Sequence, residues 1–353
     1  MKSVMNRICS VLLILMLAGS AFACTVKIDT PAVSEATSTP ESKPTDAPEA
    51  SDASAVKTAD PTEAPAREPV RIGALAGPTG IGLTYVMQDT DRYAVDIFTA
   101  PDQLSPKFIK GEVDIAAVPI NLASVLYNKT DGEAVVIAVN TLGVLYFLEN
   151  GTSVQSILDL AGKTVYSTGQ GSTPEYVLSQ ILSQNGLSEK VTVEFLADNA
   201  ELIAKLASGE AEIALLPEPH VSIACTKSES IRVALSANDL WKENNDAALV
   251  QGVYIVRKSY LEEHKAEVDQ FLSDAKASSD RVKTDENAAD DVVAQGIIGA
   301  VPIAKRAIPN CNIVLETGSS MKRLVSGMLE TLYNANPASV GGSLPNADFY
   351  YEP

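Results

Sequence analysis

A short pattern that occurs twice constrains the fold of this chain more than any other sequence feature. Residues 109–119 (IKGEVDIAAVP) align with residues 207–217 (ASGEAEIALLP). In each copy a helix is expected to end at Gly, an acidic turn follows, and an apolar strand runs until Pro stops it. Recurrence predicts two lobes built on one plan. With only two copies, chance similarity between common α/β pieces is the alternative.

Short β-branched runs alternate with longer helical segments from residue 70 onwards. Such alternation predicts an α/β fold with doubly wound, mainly parallel sheets and helices on both faces. A second correspondence supports duplication, because predicted strands at residues 70–75 and 163–167 each lead into a Gly-rich bend. Further strands are predicted at residues 94–98, 114–118 and 134–140, and helices at 81–89, 102–110, 260–276 and 321–334.

Two extended apolar runs, at residues 140–147 and 249–256, bracket the second copy. We interpret them as two crossover strands that join the lobes. Lobe 1 is then predicted to comprise residues 70–147 plus 253–353, and lobe 2 to comprise residues 148–252. Lobe 2 is therefore an insertion into lobe 1, and a cleft is expected between them.

Residues 1–23 have the pattern of a secretory signal peptide. Lys2 and Arg7 precede an apolar run at residues 8–18, and small residues precede Cys24. The run is shorter than the roughly 20 residues of a spanning helix, although an N-terminal membrane anchor is the alternative. Cys24 lies where a bacterial lipobox has its lipidated cysteine, which predicts an extracytoplasmic, lipid-anchored protein. Because the match to the lipobox is partial, ordinary cleavage before Cys24 remains open.

Residues 24–69 are predicted to be the lipidated cysteine and a disordered tether. Ser, Thr, Pro, Ala, Glu and Asp dominate this stretch, and such a composition buries too little apolar surface to offset its ordering entropy. A flexible coil of this length reaches on the order of 40 Å. The tether would let the folded part stand off a membrane.

Charge and cysteine content exclude several classes of protein. The formal net charge of −18 repels phosphate backbones, so nucleic acid is not an expected partner. Besides Cys24, the mature chain would keep Cys225 and Cys311, which either pair or remain independent buried residues. No Cys-x-x-Cys or His/Cys cluster occurs, so no metal site is predicted.

Two Gly-rich bends are candidate ligand sites. After the predicted strand at residues 163–167, Ser172 or Thr173 is expected to cap a helix whose first turn contains Pro174. A helix N-terminus at the carboxyl end of a parallel strand presents free N–H groups to a ligand. Residues 77–80 offer the same arrangement in the other copy. A capped helix with no ligand is the alternative.

The loops after the repeated strands point to the same edge. Asn121 can donate and accept hydrogen bonds, and Glu218, between two prolines, can accept from ligand N–H groups or balance a cation. A rigid loop with a solvated Glu218 is the alternative, and His220 is expected to be a structural or capping residue. Nucleotide-binding and Gly-x-Ser-x-Gly motifs are absent from the sequence, and His264 lies in a charged helical segment, so neither a cofactor nor a catalytic residue is predicted.

The order of these features resembles a known family. A signal peptide, Cys24, an acidic tether, the repeated pattern and residues 159–165 (DLAGKTV) resemble the substrate-binding lipoproteins of ABC transporters of the nitrate, sulfonate, taurine and thiamine-precursor type. The resemblance covers the chain from about residue 70 to the C-terminus. It implies a type II periplasmic-binding fold, a monomer whose two lobes close on a small molecule, and a partner permease with its ATPase.

Carried over by position, the resemblance implies ligand contacts from both lobes. The loops contain little Arg or Lys, so a polar or heteroaromatic ligand such as a vitamin precursor is at least as well supported as a sulfonate or nitrate, with Glu218 holding its N–H groups. The implied contacts are Gly77, Pro78, Thr79, Asn121, Thr168, Gly171, Ser172, Thr173, Glu218, Gln251 and Tyr254.

The leading hypothesis is therefore capture of a small solute for import, without enzymatic activity. One alternative is an enzyme of the same fold, which needs an acid or base in the cleft such as Glu218 or His220. The other is a sensor that reports its ligand to a membrane partner.

Overall fold

The computed structural model describes residues 68–245 and 248–352. The predicted signal peptide, Cys24 and all of the tether except its last two residues lie outside these ranges. The described strands are β1 (Val70–Leu75), β2 (Tyr93–Phe98), β3 (Ile115–Pro119), β4 (Ala134–Leu142), β5 (Leu145–Asn150), β6 (Thr164–Ser167), β7 (Thr192–Phe195), β8 (Ile213–Pro217), β9 (Ile231–Ser236), β10 (Val250–Arg257) and β11 (Ile313–Glu316).

Helices flank both groups of strands. The α-helices are α1 (Pro78–Ile81), α2 (Pro101–Lys110), α3 (Ile120–Lys129), α4 (Thr173–Gln184), α5 (Asn199–Ser208), α6 (His220–Lys227), α7 (Ala237–Asn244), α8 (Lys258–Glu263), α9 (Lys265–Arg281), α10 (Ala288–Ala294), α11 (Val301–Ala307) and α12 (Gly318–Ala335). Short 3-10 helices lie at Val86–Gln88, Ile157–Leu160, Ile308–Asn310, Pro337–Val340 and Ala347–Phe349. No helix in the described part of the chain is long and apolar enough to cross a membrane.

The predicted helix at residues 81–89 is wrong. The chain there forms tight turns, in which Leu83 N donates to Gly80 O at 3.0 Å and Thr84 N donates to Ile81 O at 3.2 Å. Glycine lowers helix propensity. A Cβ atom on Gly82 would lie 2.9 Å from Tyr254 Oη, so this stretch is a close-packed turn against β10.

The strands form two sheets that share one strand order. Read from β2, the first has the order β2-β1-β3-β10-β4-β11, and the second has the order β7-β6-β8-β5-β9. The two orders correspond strand by strand, and β11 is an additional strand in the first sheet. β1 and β6 each pair in parallel with two neighbours, whereas β10 and β5 run antiparallel to theirs. The sheets are therefore mixed rather than mainly parallel, because each receives one strand that arrives from the other sheet.

The chain changes sheet within a few residues. β4 ends at Leu142 in the first sheet and β5 begins at Leu145 in the second, so the predicted lobe boundaries at residues 147 and 252 fall inside β5 and β10. A Cβ atom on Gly143 would lie 2.6 Å from Leu249 Cδ2, which shows that the two crossing segments are packed together. We therefore propose crossings at residues 143–144 and immediately before β10.

One apolar core runs through both crossings. Val139, Phe147 and Val250 belong to the same cluster of buried side chains, which extends into both sheets. Continuous burial across the crossings favours a stiff connection, since interiors are close-packed and transmit strain. Cys225 and Cys311 are both buried and are free thiols, in agreement with the expectation of independent buried cysteines.

Candidate functional site

The topology brings the carboxyl edges of the two sheets together. In the first sheet Gly252 of β10 pairs with Pro119 at the end of β3. In the second sheet Leu145 of β5 pairs with Pro217 at the end of β8. Because residues 143–144 alone separate β4 from β5, the loops that follow β1 and β3 lie near those that follow β6 and β8.

The loop at Gly77 is held in place by β4 and β10. Asn140 Nδ2 donates to Thr79 O at 3.3 Å, and Thr141 Oγ1 donates to Pro78 O at 3.3 Å. A Cβ atom on Gly252 would lie 2.5 Å from Thr79 Cγ2, so only glycine at that position allows the loop to approach β10. Asn140 and Thr141 were not predicted as site residues, although a pair of polar residues near the end of an otherwise apolar strand is a signal for them.

Gly77 itself leaves room beside the loop. Its φ of 97° lies in the region that favours glycine, and a Cβ atom there would meet nothing within 4 Å. Gly77 N donates to Ile297 O at 2.9 Å. Since α1 spans only Pro78–Ile81, the loop contributes shape and carbonyl groups rather than a helix N-terminus.

The Gly-rich loop before α4 carries its own acceptor. Gly171 N donates to Glu175 Oε2 at 2.5 Å, and Ser172 Oγ donates to Gly169 O at 2.5 Å. Ser172 occupies the N-cap position of α4, as one of the two predicted residues, but its side chain makes no capping hydrogen bond. Because a carboxylate already lies at this helix start, an anionic ligand is disfavoured there.

Thr168 and Thr173 are largely buried within the same loop. Thr168 is 7% exposed and its Oγ1 donates to Asn199 Oδ1 at 2.6 Å, which ties the loop to α5. Thr173 is 9% exposed at the first position of α4. In lobe 2 the Thr168 hydroxyl is therefore already used within the protein.

Asn121 and Gln251 are the amides most available at the lobe 1 edge. Both side chains are half-buried, with Asn121 in the first turn of α3 and Gln251 beside the Gly252–Pro119 pair. Within the described residues, neither side chain makes a hydrogen bond to another residue. Half-buried amides without partners can bind polar groups of a ligand.

Glu218 is already satisfied inside the protein. Its side chain is 2% exposed, and Oε2 accepts from Ser222 N at 3.1 Å. Oε1 accepts from Ser222 Oγ at 3.0 Å and from Asn310 Nδ2 at 3.1 Å. Burial raises the pKa of Glu218, although these donors and the charge of Arg306 oppose the increase. The expected role as acceptor for ligand N–H groups conflicts with this arrangement.

Tyr254 lies in the core rather than at the cleft. It is fully buried, its ring lies 5.2 Å from the Phe271 ring in an edge-to-face contact, and burial raises its pKa. A side chain without exposed surface cannot touch a ligand, so this predicted contact is not supported. His220, the first residue of α6, has its pKa lowered by burial, which favours neutral imidazole.

The loops at the two edges supply no fixed positive charge. Residues 76–79, 119–121, 168–173 and 217–220 contain neither Lys nor Arg. Among residues 68–245 and 248–352, no group of three or more His, Cys, Asp or Glu is arranged to hold a metal ion. The loops themselves therefore offer neutral hydrogen-bonding groups, and the positive charge that acts on Glu218 comes from Arg306 of α11.

Part of this region is similar to a known protein family. A family model described as NMT1/THI5 like matches residues 134–289, from β4 through lobe 2 to the segment after α9. A comparison with curated proteins finds no match.

Solved structures share the fold of the whole described body. An ABC transporter protein from Parabacteroides distasonis is 24% identical with a TM-score of 0.69, over 80% of this chain and 99% of that one. The periplasmic aliphatic sulphonate binding protein of Escherichia coli is 17% identical with a TM-score of 0.65, over 81% and 93%. The ligand binding component of an ABC-type import system from Staphylococcus aureus, solved with zinc bound, is 15% identical with a TM-score of 0.60, over 81% and 97%.

These likenesses confirm the predicted two-lobed α/β fold of the type II periplasmic-binding class. The match to the NMT1/THI5-like family model agrees with the family resemblance drawn from the repeated pattern and residues 159–165. At these levels of identity the structural likeness supports the architecture, and the ligand must be argued from the residues at the two edges.

Proposed function

We propose that this chain is the extracytoplasmic solute-binding component of an ABC importer, which holds a small molecule between its lobes and presents it to a permease. The observation that carries the proposal is the pair of partnerless amides, Asn121 and Gln251, at a sheet edge that faces a second ordered edge. Two facing edges with a few polar groups are the usual form of a small-molecule site.

The polar groups at these edges favour a neutral, hydrogen-bonding solute. Asn121 and Gln251 offer both donors and acceptors, and a Cβ atom on Gly77 would meet nothing within 4 Å, so there is open space at the loop that follows β1. The loops lack Lys and Arg, and Glu175 already takes Gly171 N–H. A heteroaromatic or otherwise polar molecule with matched donors and acceptors fits better than nitrate or a sulfonate.

The same residues support binding without catalysis. A general acid or base must reach the substrate proton, whereas both oxygens of Glu218 already accept from Ser222. His220 is the other candidate, and its neutral form is favoured by burial. We therefore propose no enzymatic activity; turnover of any bound metabolite, lost in Glu218→Gln with binding intact, would reverse this conclusion.

Lipid anchoring through Cys24 completes the proposal. A signal peptide before Cys24 and an acidic tether after it would place the lobes outside the cytoplasm as a monomer next to the permease. Fractionation tests this directly. Cys24→Ser should move the protein from the membrane fraction to the soluble extracytoplasmic fraction.

The decisive experiment on the ligand starts from protein purified from its own host. Native mass spectrometry identifies any co-purifying molecule, and a thermal-shift screen of vitamins, pyrimidines, sulfonates, nitrate and amino acids covers the candidates. A solute at a free concentration of 100 times its Kd should raise the free energy of unfolding by about 2.7 kcal/mol. A flat screen together with no co-purifying molecule would count against solute binding.

Matched variants locate the site. Asn121→Ala or Gln251→Ala should weaken binding by roughly tenfold or more, since each removes hydrogen bonds worth about 1.4 kcal/mol or above. Gln88→Ala is the control, because Gln88 is an exposed amide in the Val86–Gln88 turn. Equal affinities for all three variants would place the ligand elsewhere.

A further inference from the structure

A partly buried contact joins Glu218, in the loop before α6, to the segment between α11 and β11. Asn310 lies in that segment, and its Nδ2 donates to Glu218 Oε1 at 3.1 Å. Tyr146 Oη, from β5, donates to Asn310 O at 2.7 Å. Tyr146 lies in β5 and Glu218 directly follows β8, both strands of the second sheet, whereas Asn310 leads into β11 of the first sheet. The three residues therefore connect the two lobes outside the crossings.

On the lobe 2 side of this contact, Glu218 is held in place by residues of lobe 2 itself. Glu218 N donates to Val144 O at 3.0 Å, beside the crossing. The carboxylate is held by the N–H and hydroxyl of Ser222, at 3.1 and 3.0 Å. A side chain fixed by its own lobe loses little conformational entropy when the other lobe docks.

The lobe 1 side is equally ordered. Ile308 and Cys311, which flank Asn310, belong to an apolar cluster with Ile81 and Ile313. Asn310 Nδ2 also donates to Arg306 O at 3.1 Å. The charge of Arg306, on α11, opposes the effect of burial on the pKa of both Glu218 and Cys225, so α11 lies against α6.

We propose that Glu218, Tyr146 and Asn310 form a latch that holds the two lobes together before any solute binds. A hydrogen bond to a carboxylate is stronger than one between neutral groups, and both partners are pre-positioned. The latch would shift the ligand-free protein towards the closed arrangement by roughly tenfold, which corresponds to about 1.4 kcal/mol. Because the latch contains only residues of the protein, its effect does not depend on which solute the protein binds.

A second contact provides a matched control. Asn336 Nδ2, just after α12, donates to Tyr176 Oη of α4 at 2.9 Å. It is also an asparagine from the first lobe that meets a side chain of the second, but its acceptor is a neutral hydroxyl. Asn336→Ala should therefore open the protein less than Asn310→Ala does.

The test uses the mature chain after any co-purified small molecule has been removed by unfolding and refolding. Small-angle scattering reports the separation of the lobes, and amide hydrogen exchange reports opening of α6 and α11. In Asn310→Ala we expect a larger radius of gyration and roughly tenfold faster exchange in both helices. Asn336→Ala should change either quantity less.

Tyr146→Phe keeps the test usable should Asn310→Ala fail to fold, because it removes only the hydroxyl that holds Asn310 O. Faster exchange confined to α6 and α11 in Tyr146→Phe supports the latch. Unchanged scattering and exchange in a folded Asn310→Ala or Tyr146→Phe overturns it. Both measurements are made without ligand, so a flat solute screen and a failed latch are separate results.

Discussion

In lobe 1, residues 109–119 turn at Gly111 and run into β3; in lobe 2, residues 207–217 turn at Gly209 and run into β8. Gly111 and Gly209 both adopt left-handed conformations, with φ of 75° and 81°. Their strands both end at a proline on the edge that faces the other lobe. The backbone of the two copies is thus the same.

The charged residues of the two copies differ. Asp114 is 2% exposed and its Oδ2 accepts from the backbone N–H and Nε of Arg71, at 3.0 and 2.9 Å. Glu212, at the equivalent position, is exposed. The neighbouring strand decides this difference, since β1 brings Arg71 beside Asp114. A repeated sequence therefore specifies a turn and a strand, while each lobe uses the acidic position separately.

The loops that follow β3 and β8 also differ in whether their polar side chains have hydrogen-bond partners. Asn121 is half-buried without a hydrogen-bond partner in the described part of the chain, whereas Glu218 is buried with Ser222 and Asn310 around it. One copy leaves its polar group available for a ligand. The other uses it to bind the opposite lobe.

The largest expected difference between the copies is at the acidic position. Asp114→Ala should lower the free energy of unfolding by about 2–4 kcal/mol, somewhat less than for a fully buried pair, because the Arg71 side chain is 48% exposed and water can solvate it. Glu212→Ala should stay within about 0.5 kcal/mol of wild type. Urea unfolding measures both, and equal losses would refute the comparison.

A smaller effect is expected at the turn glycines. Gly111→Ala and Gly209→Ala should each cost about 1–2 kcal/mol, because L residues are strained in the left-handed region. Gly111→Ala should cost slightly more, since its Cβ would lie 2.6 Å from Arg257 Nη1, whereas that of Gly209 would meet nothing within 4 Å. Calorimetric melting temperatures give the order, and a larger loss at Gly209 would contradict it.

The smallest effect is expected at the ion pairs that close the two turns. Lys107 lies 3.2 Å from Glu112, and Lys205 lies 3.3 Å from Glu210. Lys107→Ala and Lys205→Ala should each cost under about 1 kcal/mol, by similar amounts, because exposed pairs are screened by water. Repeating both in 1 M NaCl should abolish the loss. A loss that persists in salt would mean that the lysine stems, not the charges, stabilise the turns.

Local patterns predicted most elements of the fold but not their neighbours. Strands β1 to β4 and helices α2 and α4 follow from apolar runs, proline and glycine within a few residues. The position of the sheet change at residues 143–144 was not predicted, because β4 and β5 are both apolar and only Gly143 and Val144 separate them. The same limit explains the prediction for residues 81–89, where contact with β10 favours turns over a helix.

The same limit applies to the predicted site residues. Gly77 and Asn121 were predicted from their place after strands and Gln251 from the family resemblance, and all three lie at the ends of strands on the facing edges. Tyr254 was assigned to the cleft although its side chain points into the core. Alternation along a strand that is buried on both faces does not show which face a ligand would see.

By itself, the sequence determined the two copies, their left-handed glycine turns and the prolines that end β3 and β8, because these depend on backbone sterics within a few residues. Only the tertiary structure decided that Asp114 meets Arg71, that Glu218 meets Asn310, and that Asn121 keeps its amide free. Those outcomes depend on residues far apart in the chain, and the partner that a buried polar group finds determines whether it stabilises the fold or remains available to a ligand.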